Sequence, residues 1–134
     1  MWRALVVDDN SANRQLIVEV LAQKAVCEIA VNGREAKEKY HLSLQNNTPY
    51  DLILLDIAMP VIDGLEFLRE ARKDEHKRGI ALGDGVPVIM VTAHKAMFMQ
   101  ALQDGCDDYI LKPIDPGVLI QKIEKLLEGR KERR

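Results

Sequence analysis

Leu52-Ile53-Leu54-Leu55-Asp56-Ile57-Ala58-Met59-Pro60-Val61-Ile62-Asp63-Gly64 sets four aliphatic residues before a carboxylate, then a stretch punctuated by proline and glycine. An apolar run without alternation suits a short strand buried on both faces, as in a parallel sheet. Three other stretches share the form. Ala4-Leu5-Val6-Val7 ends on Asp8-Asp9, Val88-Ile89-Met90-Val91 on Thr92, and Tyr109-Ile110-Leu111 on Lys112. As neighbouring parallel strands, these runs would bring three carboxylates, a hydroxyl and an ammonium to one edge of a sheet.

The intervening segments read as helices. Leu16, Ile17, Val20 and Leu21 fall at helical spacing, with Asn10 or Ser11 as the cap and an end near Lys24. Cys27 to Ala30 forms a short second strand closed by the Asn32-Gly33 turn signal. Arg34 to Leu44 is a charged helix with Ala36, Tyr40 and Leu44 inward, and Asn46 to Pro49 breaks the chain. Asp56 to Asp63 reads as a loop. From Gly64 a helix follows with Leu65, Leu68 and Arg72 on one side, widened by Phe67 and Ala71. Lys73 to Gly85 is polar and glycine-containing, which predicts a surface loop.

A Met-rich helix over Lys95 to Gln103 places Met97, Phe98, Ala101 and Leu102 as core filling. Asp115-Pro116 opens the last helix, which Leu119, Ile123, Leu126 and Leu127 pack down. Strand and helix thus alternate five times. The pattern predicts a single α/β domain, a doubly wound parallel sheet with helices on both faces and right-handed crossovers. Such sheets bind ligands outside the carboxyl ends of their strands, where the reactive residues fall.

Composition narrows the function classes. The chain has 134 residues, 47% hydrophobic and 30% charged, an ordinary mixture for one folded domain. A formal charge of −2 gives no general reason to expect nucleic-acid or membrane binding. The domain is expected over residues 1–129, with Arg130-Lys131-Glu132-Arg133-Arg134 as a basic tail or the start of a linker rather than a nucleic-acid arm. Cys27 and Cys106 read as buried reduced thiols, and no CxxC pair occurs. Apolar stretches are interrupted well before the ~20 residues of a membrane span. Met1-Trp2-Arg3 passes straight into a strand, which leaves no room for a signal peptide, so a cytoplasmic protein is expected.

The convergence of acids carries chemistry. A lone strand-end Asp is often a loop starter or cap, a strand-end Thr a cap, and an isolated Lys a snorkelling surface residue. Together they ask for another account. Two like charges ~4 Å apart repel by about 4 kcal/mol at an effective dielectric of 20. Gathering three carboxylates therefore requires a cation, a proton or a lysine. All-oxygen donors suit Mg²⁺ or Mn²⁺, and no His or Cys cluster offers a zinc-type site. His41 and His76 read as surface residues, while His94 stands two residues past Thr92 and could overhang the crevice. Lys112 and Thr92 complement phosphoryl oxygens, and Asp56 is the best nucleophile for transient acyl-phosphate formation. No GxxxxGK[ST] loop is present, so a nucleotide is not the expected donor.

In order, VVDDN at 6–10, LILLDIAMPVIDG at 52–64, VIMVTA at 88–93 and GCDDYILKPI at 105–114 resemble the receiver domain of two-component response regulators. The resemblance spans essentially the whole chain and implies the flavodoxin-like strand order 2-1-3-4-5. It implies Asp56 as phospho-acceptor, with Asp9, Asp56 and the backbone carbonyl of Ala58 as direct Mg²⁺ ligands and Asp8 acting through water. Lys112 and Thr92 would hold the phosphoryl oxygens, Tyr109 would be the aromatic switch, and the Lys112-Pro113 bond would be cis. A histidine kinase or histidine phosphotransfer protein is the implied donor, and the fourth-strand loop and last two helical faces the implied output.

On that resemblance the domain is a phospho-acceptor regulator and not otherwise an enzyme. Ala58 and His94 depart from common relatives and are expected to tune dephosphorylation. A haloacid-dehalogenase-type phosphatase also uses Asp, Thr, Lys and Mg²⁺, but would want a second acid where this chain has Ala58. A phosphate-independent interaction module would be expected to have lost Asp56 or Lys112, and both are present. Dimerisation through the last two helices is an option that no residue decides. The kinase and the output are not legible.

Overall fold

The computed structural model describes residues 1–56 and 61–132, apart from the side chains of residues 61–63 and 131–132. Strand and helix alternate throughout: β1 (Trp2–Val7), α1 (Ser11–Leu21), β2 (Ala25–Ala30), α2 (Gly33–Gln45), β3 (Leu52–Asp56), α3 (Val61–Lys77), β4 (Val88–Thr92), α4 (Met97–Gln103), β5 (Asp108–Leu111) and α5 (Pro116–Glu132). The five strands form one parallel sheet in the order β2-β1-β3-β4-β5. The order inferred from the family resemblance is thus the observed one.

The unalternating apolar runs have a direct cause, because each central strand feeds two cores. On one face Leu5, Val7, Ile53, Leu55, Val88 and Met90 pack against Ala36 and Tyr40 of α2, Leu68 and Ala71 of α3, and Ala101 of α4. On the other, Ala4, Val6, Leu52, Leu54, Ile89, Val91 and Ile110 meet Ile17 and Leu21 of α1 and Leu119 and Ile123 of α5. A fully buried aliphatic side chain stabilises by about 1.5–3 kcal/mol, so both faces resist change.

The helix ends follow their caps. Asn10, not Ser11, caps α1, its Oδ1 accepting from Asn13 N at 3.0 Å. Asp115 Oδ1 accepts from Val118 N at 3.1 Å and opens α5. Several boundaries move from the sequence expectation. α1 stops at Leu21 rather than Lys24, β2 begins at Ala25 rather than Cys27, and α2 is one residue wider at each end. α4 begins at Met97, because residues 94–98 first make tighter bonds, Met97 N to His94 O and Phe98 N to Lys95 O.

α3 holds the largest correction. It starts at Val61, inside the expected loop, and runs through Lys73 to Lys77, where another loop was expected. Its polar final turns find partners: Arg78 Nε donates to Asp74 at 2.9 Å, and Glu75 is buried beside Arg72. Leu102 is 45% exposed and is not core filling, and Cys27 is only half-buried, whereas Cys106 is buried. No described helix is long and apolar enough to cross a membrane.

An ion network closes the amino-terminal edge of the sheet. Arg72 donates to Gly105 O at 2.9 Å, Val86 O at 2.7 Å, Glu75 Oε1 at 2.8 Å and Asp107 Oδ2 at 3.1 Å. Glu75 Oε2 accepts from Val86 N, and Asp107 Oδ2 from Val88 N. From α5, Arg130 reaches Gly85 O and Asp107 Oδ1. The acidic side chains lie at the opposite, carboxyl edge.

Candidate functional site

Sheet register brings the acids together. Val7 of β1 pairs with Leu55 of β3, so Asp8 and Asp56 leave the sheet side by side. Both are buried, at 1% and 2% exposure, while Asp9 is exposed. One carboxylate oxygen from each of Asp8, Asp9 and Asp56 lies within 4.8 Å of the others. From the end of β5, Lys112 Nζ donates to Asp56 Oδ2 at 3.1 Å. The Lys112–Pro113 peptide bond is cis.

Asp8 shows what the crevice lacks. Its N–H donates to Ala30 O at 3.0 Å and its Oδ1 accepts from Asn10 N at 2.8 Å. Its Oδ2 is buried and, among the described residues, has no hydrogen-bond partner. Burial pushes the Asp8 carboxyl up from 3.8 to about 6; the Asn10 N–H opposes this, the neighbouring Asp56 reinforces it, and Lys112 opposes it. Among the described residues three carboxylates thus gather beside the Lys112 ammonium, which calls for further positive charge or a proton. The donor set is all oxygen, open at Asp9 and with an orphaned buried oxygen at Asp8. It fits a hard divalent cation better than a thiolate- or imidazole-seeking one.

Thr92 ends β4, buried at 3% exposure. Its Oγ1 accepts from His94 N at 3.0 Å and donates to His94 O at 3.3 Å, so the hydroxyl is engaged with the loop leading to α4. The backbones of Thr92 and Lys112 are tied, Lys112 N donating to Thr92 O at 2.8 Å. His94 is exposed beside this loop. Tyr109 lies on β5, its ring 4.5 Å from that of Phe98 on α4. Ala58 lies outside the described residues.

Two side chains passed over in the sequence touch these groups. Lys122 of α5 donates to Tyr109 O at 2.6 Å and stands 4.4 Å from the Tyr109 ring centroid. Arg14 of α1 donates to Asp8 O at 2.8 Å. Arg14 lies seven residues before Leu21 on the helix, a two-turn spacing from the buried stripe, but its carbonyl partner left no mark in the pattern.

The description "Response regulator receiver domain" is matched over residues 4–124. "Hybrid signal transduction histidine kinase I" of Dictyostelium discoideum is 38% identical over 124 residues, covering 90% of this chain and 7% of that protein. Transcriptional regulatory protein ResD of Bacillus subtilis is 38% identical over 129 residues, covering 93% of this chain and 48% of its own length. The chain therefore spans less than half the length of these curated relatives. Among solved structures, a CheY-like receiver domain protein from Methanospirillum hungatei is similar with a TM-score of 0.77 and 29% identity, covering 100% of this chain and 99% of that one. A chain of the co-crystal structure of Saccharomyces cerevisiae Ypd1 with the receiver domain of Ssk1 gives a TM-score of 0.78 and 28% identity, covering 93% and 88%. Match, strand order and convergent carboxyl edge agree: the chain belongs to the response regulator receiver domain family, the signalling switch of two-component systems and phosphorelays.

Proposed function

We propose that Asp56 accepts a phosphoryl group from a phosphohistidine and that the modified crevice resets the face built by α4, β5 and α5. The observation that carries this reading is the convergence of Asp8, Asp9 and Asp56 with Lys112 against Asp56. Asp9, Asp56 and the Ala58 carbonyl would hold Mg²⁺, or Mn²⁺, directly, and Asp8 through water. Such a cation supplies charge neutralisation for the phosphoryl oxygens.

An Asp56 carboxylate oxygen forms the new bond to phosphorus as the phosphorus–nitrogen bond to the donor imidazole breaks. Lys112 then pairs with a phosphoryl oxygen, and Thr92 exchanges its bonds to His94 for one to the phosphoryl group. That exchange draws the loop after β4 inward and offers Tyr109 a different rotamer, the two-state element that phosphate biases. Ala58 and His94 tune hydrolysis of the acyl phosphate.

The names of the relatives support a histidine kinase or histidine phosphotransfer protein as donor. Downstream lies a protein or attached domain; this domain itself does not bind nucleic acid or membrane, and works in the cytoplasm without turning over a separate substrate. Residues 1–129 are the proposed receiver unit. The stretch 130–134 is the proposed basic tail or start of a linker, although Arg130 lies in α5 and is tied to Gly85 and Asp107.

Phosphotransfer tests the proposal. A ³²P-labelled histidine phosphotransfer protein mixed with this domain and Mg²⁺ should lose label to it, and excess chelator should stop the transfer. Label that stays on the donor in the presence of Mg²⁺, with several such donors, would favour the phosphate-independent module.

A further inference from the structure

Asp8 stands one residue beyond the last sheet pairs of β1, Val7 with Ala30 and Val7 with Leu55. Its N–H still reaches Ala30 O, but its carbonyl has run out of strand to pair with. Buried carbonyls are nearly always satisfied, and here the partner is the Arg14 guanidinium, Nη1 to Asp8 O at 2.8 Å. The remaining ties of the turn are local: Asn10 N to Asp8 Oδ1, Asn13 N to Asn10 Oδ1, and Arg14 N to Asn10 O. Among the described residues, Arg14 is the one side chain that donates to the main chain of this turn.

Asp9 sits in the middle of the turn. It is exposed, and no hydrogen bond or ion pair orients its carboxylate among the described residues. Its approach to Asp8 and Asp56 is therefore inherited from the backbone of residues 8–10.

We propose that Arg14 is a positioning residue for divalent-cation binding: its guanidinium holds the Asp8 carbonyl and thereby sets where the Asp9 carboxylate stands relative to Asp8 and Asp56. The inference rests on the reading of the acidic cluster as a cation site. Groups that orient metal ligands commonly change affinity by about 10–100-fold when removed.

Mn²⁺ titration by isothermal calorimetry on the full chain, beside urea unfolding without metal, separates the outcomes. Arg14→Met should weaken Mn²⁺ binding about tenfold, the low end of that range, with the urea midpoint close to wild type. Arg14→Lys keeps a donor on a long stem and should recover affinity to within about threefold. Gln15→Met, whose wild-type side chain is exposed and donates to Glu19, should leave both readouts unchanged. Should Arg14→Met not fold, Arg14→Gln carries the same comparison. Wild-type affinity in Arg14→Met, or in Arg14→Gln should that stand in for it, overturns the assignment, as does a loss that tracks the urea midpoint and is not rescued by lysine. Failure of the wild-type chain to bind Mn²⁺ at millimolar concentration overturns the cation site itself, and Arg14's role with it.

Discussion

Arg72→Met should lower the free energy of unfolding by about 3–5 kcal/mol, the range for removing one partner of a buried ion pair. Four acceptors lose the guanidinium at once: Gly105 O, Val86 O, Glu75 Oε1 and Asp107 Oδ2, the last keeping the Val88 N–H. Glu75 is the costly remainder. Its side chain is 6% exposed and would keep only the Val86 N–H. Backbone packs closely against both side chains of the pair. A Cβ at Gly85 would fall inside the Glu75 carboxylate, and one at Gly105, where φ is +105°, would sit 2.7 Å from Arg72 Cγ. The comparison is Arg34→Met, which breaks an exposed i,i+4 pair with Glu38. Exposed pairs contribute about 0–1 kcal/mol. Equal urea midpoints for the two variants would contradict a structural role for the network.

Lys112→Met is expected to destabilise the metal-free domain by about 3 kcal/mol at neutral pH, the lower end for breaking a buried pair, because a proton can partly replace the lost ammonium. Asp56, Asp8 and Asp9 would then face one another without their lysine. The pH dependence has a definite sign. Asp8 already has its carboxyl raised from 3.8 to about 6 by burial, and loss of Lys112 raises it further. A carboxyl raised in the folded state contributes stability that is complete below its unfolded value and disappears as pH rises through the folded one. The deficit of Lys112→Met should therefore be small near pH 4, open as pH rises through about 6, and be full only above the variant's own, higher value. Addition of Mg²⁺ should narrow it by stabilising the folded state through binding. A deficit independent of pH and Mg²⁺ would place the role of Lys112 outside the crevice.

The apolar runs were sufficient to place the sheet. A segment such as Leu52 to Leu55, bounded by polar breaks, leaves few alternatives to a doubly buried strand, and the residue after each run falls at the carboxyl edge. The same logic located Asp8, Asp56, Thr92 and Lys112, since position along a strand fixes position along the sheet. Helix ends were less legible. Lys73 to Lys77 looks like a loop by polarity, yet the helix continues because Arg72, Asp74 and Glu75 are satisfied by residues 78, 86 and 107, far from them in sequence or beyond a turn. Arg14 escaped attention for a related reason. Its partner is a backbone carbonyl, which has no residue type for a pattern to register. Strand order 2-1-3-4-5 came from family resemblance, as local patterns limit topology without choosing one.

The central claim, acceptance of phosphate by Asp56, is tested most directly by intact-mass measurement after incubation with acetyl phosphate and Mg²⁺. Wild-type protein should gain a single phosphoryl adduct that hydroxylamine removes, and Asp56→Asn should gain none. An adduct of equal yield on Asp56→Asn, or none on the folded wild-type chain, would contradict the account.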